Sequence, residues 1–214
     1  MNISLECGNK MDNSIYTIGY SGFSIDSFVE MLKKHNIRLL IDVRSSPFSS
    51  FYADYNKDSL ENVLRKNGIY YRNYASEFGA RQDDKTLYHK DGYLDFDLFC
   101  QSEPFKSGIT KLICSLEQGY PFALMCAEKD PIRCHRTIMV SRRFFEKGLN
   151  VIHLLPNGES KSQQQIEHEL LDKFFPDREQ VTFFSNLEND STLIPQAYKL
   201  QNAEIGYRME DRTE

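Results

Sequence analysis

Apolar and polar positions along this chain follow two alternating rhythms. Short apolar runs recur at residues 15–19, 37–43, 69–71, 121–126 and 151–155. Between them, apolar residues fall at helical spacing, as Phe28, Val29, Met31 and Leu32 do within residues 25–35. The first set reads as strands and the second as amphipathic helices. Residues 37–43 (IRLLIDV) are apolar almost throughout, as a strand buried on both faces of a parallel sheet requires. Helices are expected over 25–35 with Ser24 as N-cap, over 58–67 before Gly68, and over 102–118 before Gly119. A fourth opens at Asp130, with Pro131 in its first position, and runs to Lys147 before Gly148. Residues 163–175 read as a closing helix and 197–205 as a short docking helix.

Repeated strand–helix–strand units predict an α/β fold: three layers, a mostly parallel sheet, helices on both faces, right-handed crossovers. Residues 14–175 read as one domain, 1–13 as a flexible leader and 176–214 as a polar extension packing on the domain. Over residues 75–95 the periodicity fails. This marks a candidate lid carrying Glu77, Arg81, Tyr88, His89 and Tyr93, with Tyr74 just before it.

Composition narrows the function classes. The 214 residues suit one domain with an extension, and 15 Phe and 12 Tyr supply an aromatic-rich core. A net charge of −5 and a pI near 5.6 exclude a basic nucleic-acid coat. No apolar run approaches the roughly 20 residues of a membrane span, so no membrane partner is expected. The polar N-terminus lacks a signal-peptide core, and five irregularly spaced cysteines read as reduced thiols in the cytoplasm.

In parallel sheets, ligands bind at the carboxyl ends of strands. The first strand ends in Gly19-Tyr20-Ser21-Gly22, either an anion-binding turn with Ser21 as donor or an ordinary connection. The second ends in Asp42-Val43-Arg44, either a structural ion pair or an Arg44 fork presented to phosphate or carboxylate. The fourth ends in the densest reactive cluster, Cys126 to Arg136 (CAEKDPIRCHR). Here Cys134 reads as a nucleophile or polar wall, Glu128 as acid or base, His135 as proton carrier, Arg136 as anion ligand and Cys126 as a substrate-side residue. His153, inside an apolar strand, reads as a core histidine.

Two labels fail on spacing. Rhodanese-like and phosphatase-like loops place Arg five or six residues after the cysteine, where this chain has Met139 and Val140. The Cys-x7-Cys-His arrangement lacks the two short-spaced pairs of a structural zinc site, so no metal is assigned. Metal binding through Cys126, Cys134 and His135 stays an alternative. A further alternative rests on Arg133, Arg136, Arg142, Arg143 and Lys147 against Glu146, a basic helix suited to nucleic acid or another phosphate-bearing partner.

YTIGYSG, LLIDVRSSP, the Tyr/Gly-containing loop and LMCAEKDPIRCHR together resemble the bacterial family known as domain of unknown function 488, over residues 16–174. Glu77-Phe78-Gly79-Ala80 departs from that pattern, where members more often carry Leu-Gly-Gly. The resemblance implies an α/β sandwich and a cluster at Arg44, Cys126, Glu128, Cys134, His135 and Arg136, without a reaction, substrate or cofactor. The leading expectation is an enzyme acting on a phosphate-bearing or nucleotide-like small molecule.

Overall fold

The structure, a computed structural model, describes residues 14–178 and 190–209. The expected leader lies outside the described residues. Strands β1 (Ser14–Gly19), β2 (Leu39–Asp42), β3 (Tyr70–Asn73), β4 (Phe122–Cys126), β5 (Asn150–Leu154) and β6 (Ser160–Ser162) form one sheet in the order β3-β2-β4-β1-β5-β6. All neighbours are parallel except β6, which pairs antiparallel with β5 at the edge. That edge strand is Ser-Lys-Ser, with no apolar pattern to announce it.

Helices cover both faces, as the buried strands require. On one face, α1 (Ile25–Lys34) and α2 (Lys57–Lys66) bury Phe28, Leu32, Leu60 and Leu64 against Ile18, Leu40 and Met125. Ser24 caps α1 through its side-chain oxygen, as expected. The other face is larger. It carries α3 (Ala75–Phe78), α4 (Phe96–Phe99), α5 (Glu103–Glu117), α6 (Arg142–Glu146), α7 (Gln163–Phe174) and α8 (Asp190–Ile205), packed on Ile41, Leu124 and Val151. Among the described residues no helix is long and apolar enough to cross a membrane.

Three elements differ from the expectation. The Asp130-Pro131 signal opens a 3-10 turn, Pro131–Arg133, and not an α-helix. Asp130 accepts from Ile132 N–H, but Cys134 then turns extended (φ −123°, ψ 133°) and restarts the chain. The helix that follows begins as a π-helical turn, Arg136–Ser141, where Ser141 Oγ donates to the Arg136 carbonyl at 2.7 Å. Helix α8 spans 16 residues, longer than the short docking helix expected, and includes Pro195. It buries Leu193, Ala197 and Tyr198 in the larger core, a contact no local pattern reveals.

Segment 75–95 is more ordered than its composition suggests. It contains α3 and a 3-10 turn, Lys85–Leu87. Phe78 docks on α5, where a Cβ at Gly108 would sit 2.8 Å from its ring.

Candidate functional site

Gly19, Cys126 and Met125 set the level of the site: Gly19 pairs with Cys126 and Asp42 with Met125, so β1, β4 and β2 end side by side. Above these ends lies a pocket of about 700 Å³. Its floor is Cys126, Cys134 and His135, and its wall includes Arg44.

Arg44 is held from beneath. Nη2 donates to Asp42 Oδ2 at 2.6 Å and to the Tyr55 carbonyl at 2.9 Å, while Nε donates to Asp42 Oδ1 at 2.9 Å. Tyr71 Oη donates to the same carboxylate at 2.7 Å, and the guanidinium lies over the Tyr20 ring. Burial opposes charge on Arg44, but Asp42 outweighs it and keeps the group cationic. Nη1, the remaining corner, is buried without a partner. Asp42 is fully buried and positions Arg44.

The floor is built from β4 and the restart at Cys134. His135 Nε2 lies 3.0 Å from the Val43 carbonyl. A carbonyl only accepts, so Nε2 carries a proton, and Nδ1 lies 3.8 Å from Cys126 Sγ. The two sulfurs of Cys126 and Cys134 and a ring nitrogen of His135 all lie within 4.8 Å of one another. Burial pushes the Cys134 thiol up, but the Cys126 hydrogen bond, Arg136 and His135 pull it further down, well below its ordinary value. Cys126, donating to that thiolate and buried, is pushed well above. His135 is raised despite its burial, because the Cys134 thiolate favours the imidazolium.

Arg136 does not reach the pocket. It is fully buried: Nη1 donates to the Glu128 carbonyl at 2.5 Å, Nε to Thr17 Oγ1 at 3.3 Å, and Nη2 has no partner. The expected anion ligand is instead a cation beneath the floor. Glu128 lines the pocket, but its side chain is exposed, and its carbonyl does the anchoring. Ser21 is spent locally: its N–H bonds the Ala127 carbonyl at 3.0 Å, and it does not line the pocket.

The basic helix is not a free face. Arg142 and Arg143 both pair with Asp97 and Glu146, and Arg142 stacks on Tyr198 at 4.2 Å. Of that cluster, Arg133 alone lines the pocket. Arg142 and Arg143 are thus already committed to carboxylates within the fold.

A family model described as "Domain of unknown function DUF488" matches residues 24–142. The chain belongs to this family. No curated protein and no solved structure matches it. Within the matched span lie Asp42, Arg44 and the whole of Cys126 to Arg136. Outside it lies a wall that the sequence reading missed: Glu204, Tyr207 and Arg208, at and just beyond the end of α8. This DUF488 chain ties that wall to its candidate lid. Tyr207 carries Arg81 over its ring at 4.7 Å, and its carbonyl accepts from Leu94 N–H at 2.9 Å. Lone Arg81 was visible in sequence; its meeting with Tyr207 was not, since 126 positions separate them and neither periodicity nor motif links them.

Proposed function

We propose that this chain is a cytoplasmic enzyme acting on a phosphate-bearing, nucleotide-like small molecule in the strand-end pocket. One observation carries the reading. Arg44 is 6% exposed, its Nη1 is unpartnered, and it stands on a pocket wall where four arginines (44, 81, 133 and 208) meet two glutamates (128 and 204). A buried donor without an acceptor is costly, and a phosphate oxygen is an acceptor matched to a guanidinium edge. Arg81 and Arg133 add charge at the rim, where salt screens it. Phe48, 70% exposed at the lip, offers a face for a base.

In this reading Arg44 binds the phosphate and Asp42 orients it. Cys134 and His135 present a thiolate and an imidazole to the bound molecule, and Cys126 donates to that thiolate. Glu128 stands at the rim as acid or base. Arg136 acts from below, holding positive charge under the thiolate. Residues 176–214 are an extension whose described part completes the wall. The four described cysteines are free, in keeping with a reducing compartment.

The test is calorimetric binding of inorganic phosphate and nucleoside monophosphates at low salt, to the wild type and to Arg81→Ala/Arg133→Ala. Binding that weakens in the double variant and with added salt is expected. No measurable binding of any phosphate compound at millimolar concentration overturns the reading.

A further inference from the structure

The floor of the pocket holds a second, sharper chemistry. We propose that Cys126 Sγ, Cys134 Sγ and His135 Nδ1 bind one divalent zinc-type cation, with its fourth position toward the arginine-lined pocket. This deepens the reading above, since it supplies a cofactor for the same pocket.

The geometry is the first ground. A tetrahedral site with sulfur at about 2.3 Å and nitrogen at about 2.0 Å separates its ligand atoms by roughly 3.5–3.8 Å. Here Cys126 Sγ and His135 Nδ1 are 3.8 Å apart, and the three ligand atoms all lie within 4.8 Å of one another.

The supporting shell is the second ground. His135 commits Nε2–H to the Val43 carbonyl at 3.0 Å, which fixes the ring and frees Nδ1 for a metal. Ligating histidines are commonly braced by such a bond. The Cys-x7-Cys-His spacing lacks the paired motif of a structural site, but a three-ligand site open to substrate needs no such pairing. The fold supplies the proximity: Cys126 ends β4, and the turn Pro131–Arg133 brings Cys134 and His135 back over it.

Ligand type selects the ion. Two thiolates and an imidazole suit zinc and reject magnesium or calcium, which take oxygen ligands. Two thiolates neutralise a divalent cation. Arg136 beneath and Arg44 on the wall then leave a net positive site, suited to an anionic oxygen as fourth ligand. There such a cation polarises a phosphoryl oxygen or activates a water.

The experiment uses the full-length, untagged, reduced chain. Chelator-stripped protein is titrated with Co²⁺ and, separately, Zn²⁺. One equivalent of cobalt, with thiolate charge-transfer and tetrahedral ligand-field bands, is expected, and it is lost in Cys134→Ser. Should that variant not fold, the wild type decides by alkylation and peptide mapping. Bound zinc should protect Cys126 and Cys134 and leave exposed Cys114 reactive. No saturable metal binding, or unchanged cobalt spectra in Cys134→Ser, overturns the site. A Cys126–Cys134 disulfide without metal uptake after reduction overturns it in favour of a redox pair. The two readings fail separately. Phosphate binding without metal removes only the cation, and metal binding without phosphate affinity removes only the substrate reading.

Discussion

Asp42 grips Arg44 along one edge of its guanidinium, with Nη2 to Oδ2 at 2.6 Å and Nε to Oδ1 at 2.9 Å, and both residues are buried. The remaining edge faces duty elsewhere: Nη1 has no protein partner. The pair is therefore a mount as much as an ion pair.

Removing the mount should cost more than losing one surface salt bridge. Asp42→Asn leaves Arg44 charged and buried without its carboxylate, and should destabilise the fold by about 3–5 kcal/mol. Urea denaturation measures this. Tyr71→Phe, which deletes one hydrogen bond to the same carboxylate, should cost only about 1 kcal/mol. Equal, small losses in both variants would show that Arg44 does not depend on Asp42.

His153 predicts acid sensitivity. Its Nδ1 accepts from Thr17 Oγ1 at 2.8 Å, and its Nε2 donates to Gln163 Oε1 at 2.9 Å, all fully buried. Burial, reinforced by the charge of Arg136, lowers its pKa from 6.5 to about 3. The folded state thus keeps His153 neutral while the unfolded chain protonates below about pH 6.5. Stability from this group is complete above that pH and declines as pH falls toward 3, by about 1.4 kcal/mol per unit. Between pH 6.5 and 5, His153→Gln should flatten the urea-derived stability profile relative to wild type. Parallel profiles would refute the assignment.

Gly19 is constrained by what lies against it. A Cβ there would come 1.8 Å from the Glu128 carbonyl oxygen and 3.0 Å from Arg136 Nη1. Gly19→Ala must push away the acceptor that anchors Arg136. A loss of about 3 kcal/mol, at the upper end of overpacking costs, is expected, with Tm lower by about 10 °C. A thermal scan within 2 °C of wild type would be incompatible with the close approach.

Asn202 ties the C-terminal wall to the domain. Its Oδ1 accepts from Phe96 N–H and its Nδ2 donates to the Leu94 carbonyl, both at 2.9 Å and buried. Asn202→Leu strands both backbone groups and should destabilise by about 2–4 kcal/mol. Because the same segment carries Tyr207 and Arg208 into the pocket, phosphate affinity should fall as well. Phosphate titration of the folded variant at low temperature separates the two effects, and unchanged affinity would detach this wall from the site.

Much of the architecture could be read from residue order. Gln163–Phe174 and Glu103–Glu117 fall within two residues of their expected ends, because Ser162 and Ser102 cap them. The strands were equally plain, since IRLLIDV and PFALMC are too apolar for anything but a buried sheet. The edge strand Ser160–Ser162 escaped because an edge needs only backbone pairing. The Asp130-Pro131 signal was real but short. It starts a helical turn, and nothing local says that Cys134 will end that turn three residues later.

At the site, the division is sharper. Sequence alone determined that Arg44 and the Cys126–Arg136 segment each sit at the end of a strand, because strand periodicity fixes where a strand stops; that β2 and β4 are neighbours was decided by the sheet order. It could not determine which side chains face the pocket. Arg136 is buried beneath the floor while Cys134 and His135 lie on it, a choice made by the π-helical turn and the Thr17 and Glu128 contacts. Nor could it place Tyr207 and Arg208, more than 70 residues beyond the motif, on the pocket wall. Local patterns encode local geometry, whereas the meeting of Arg44, the Cys126–Arg136 segment, Tyr207 and Arg208 around one pocket depends on packing between elements distant in the chain.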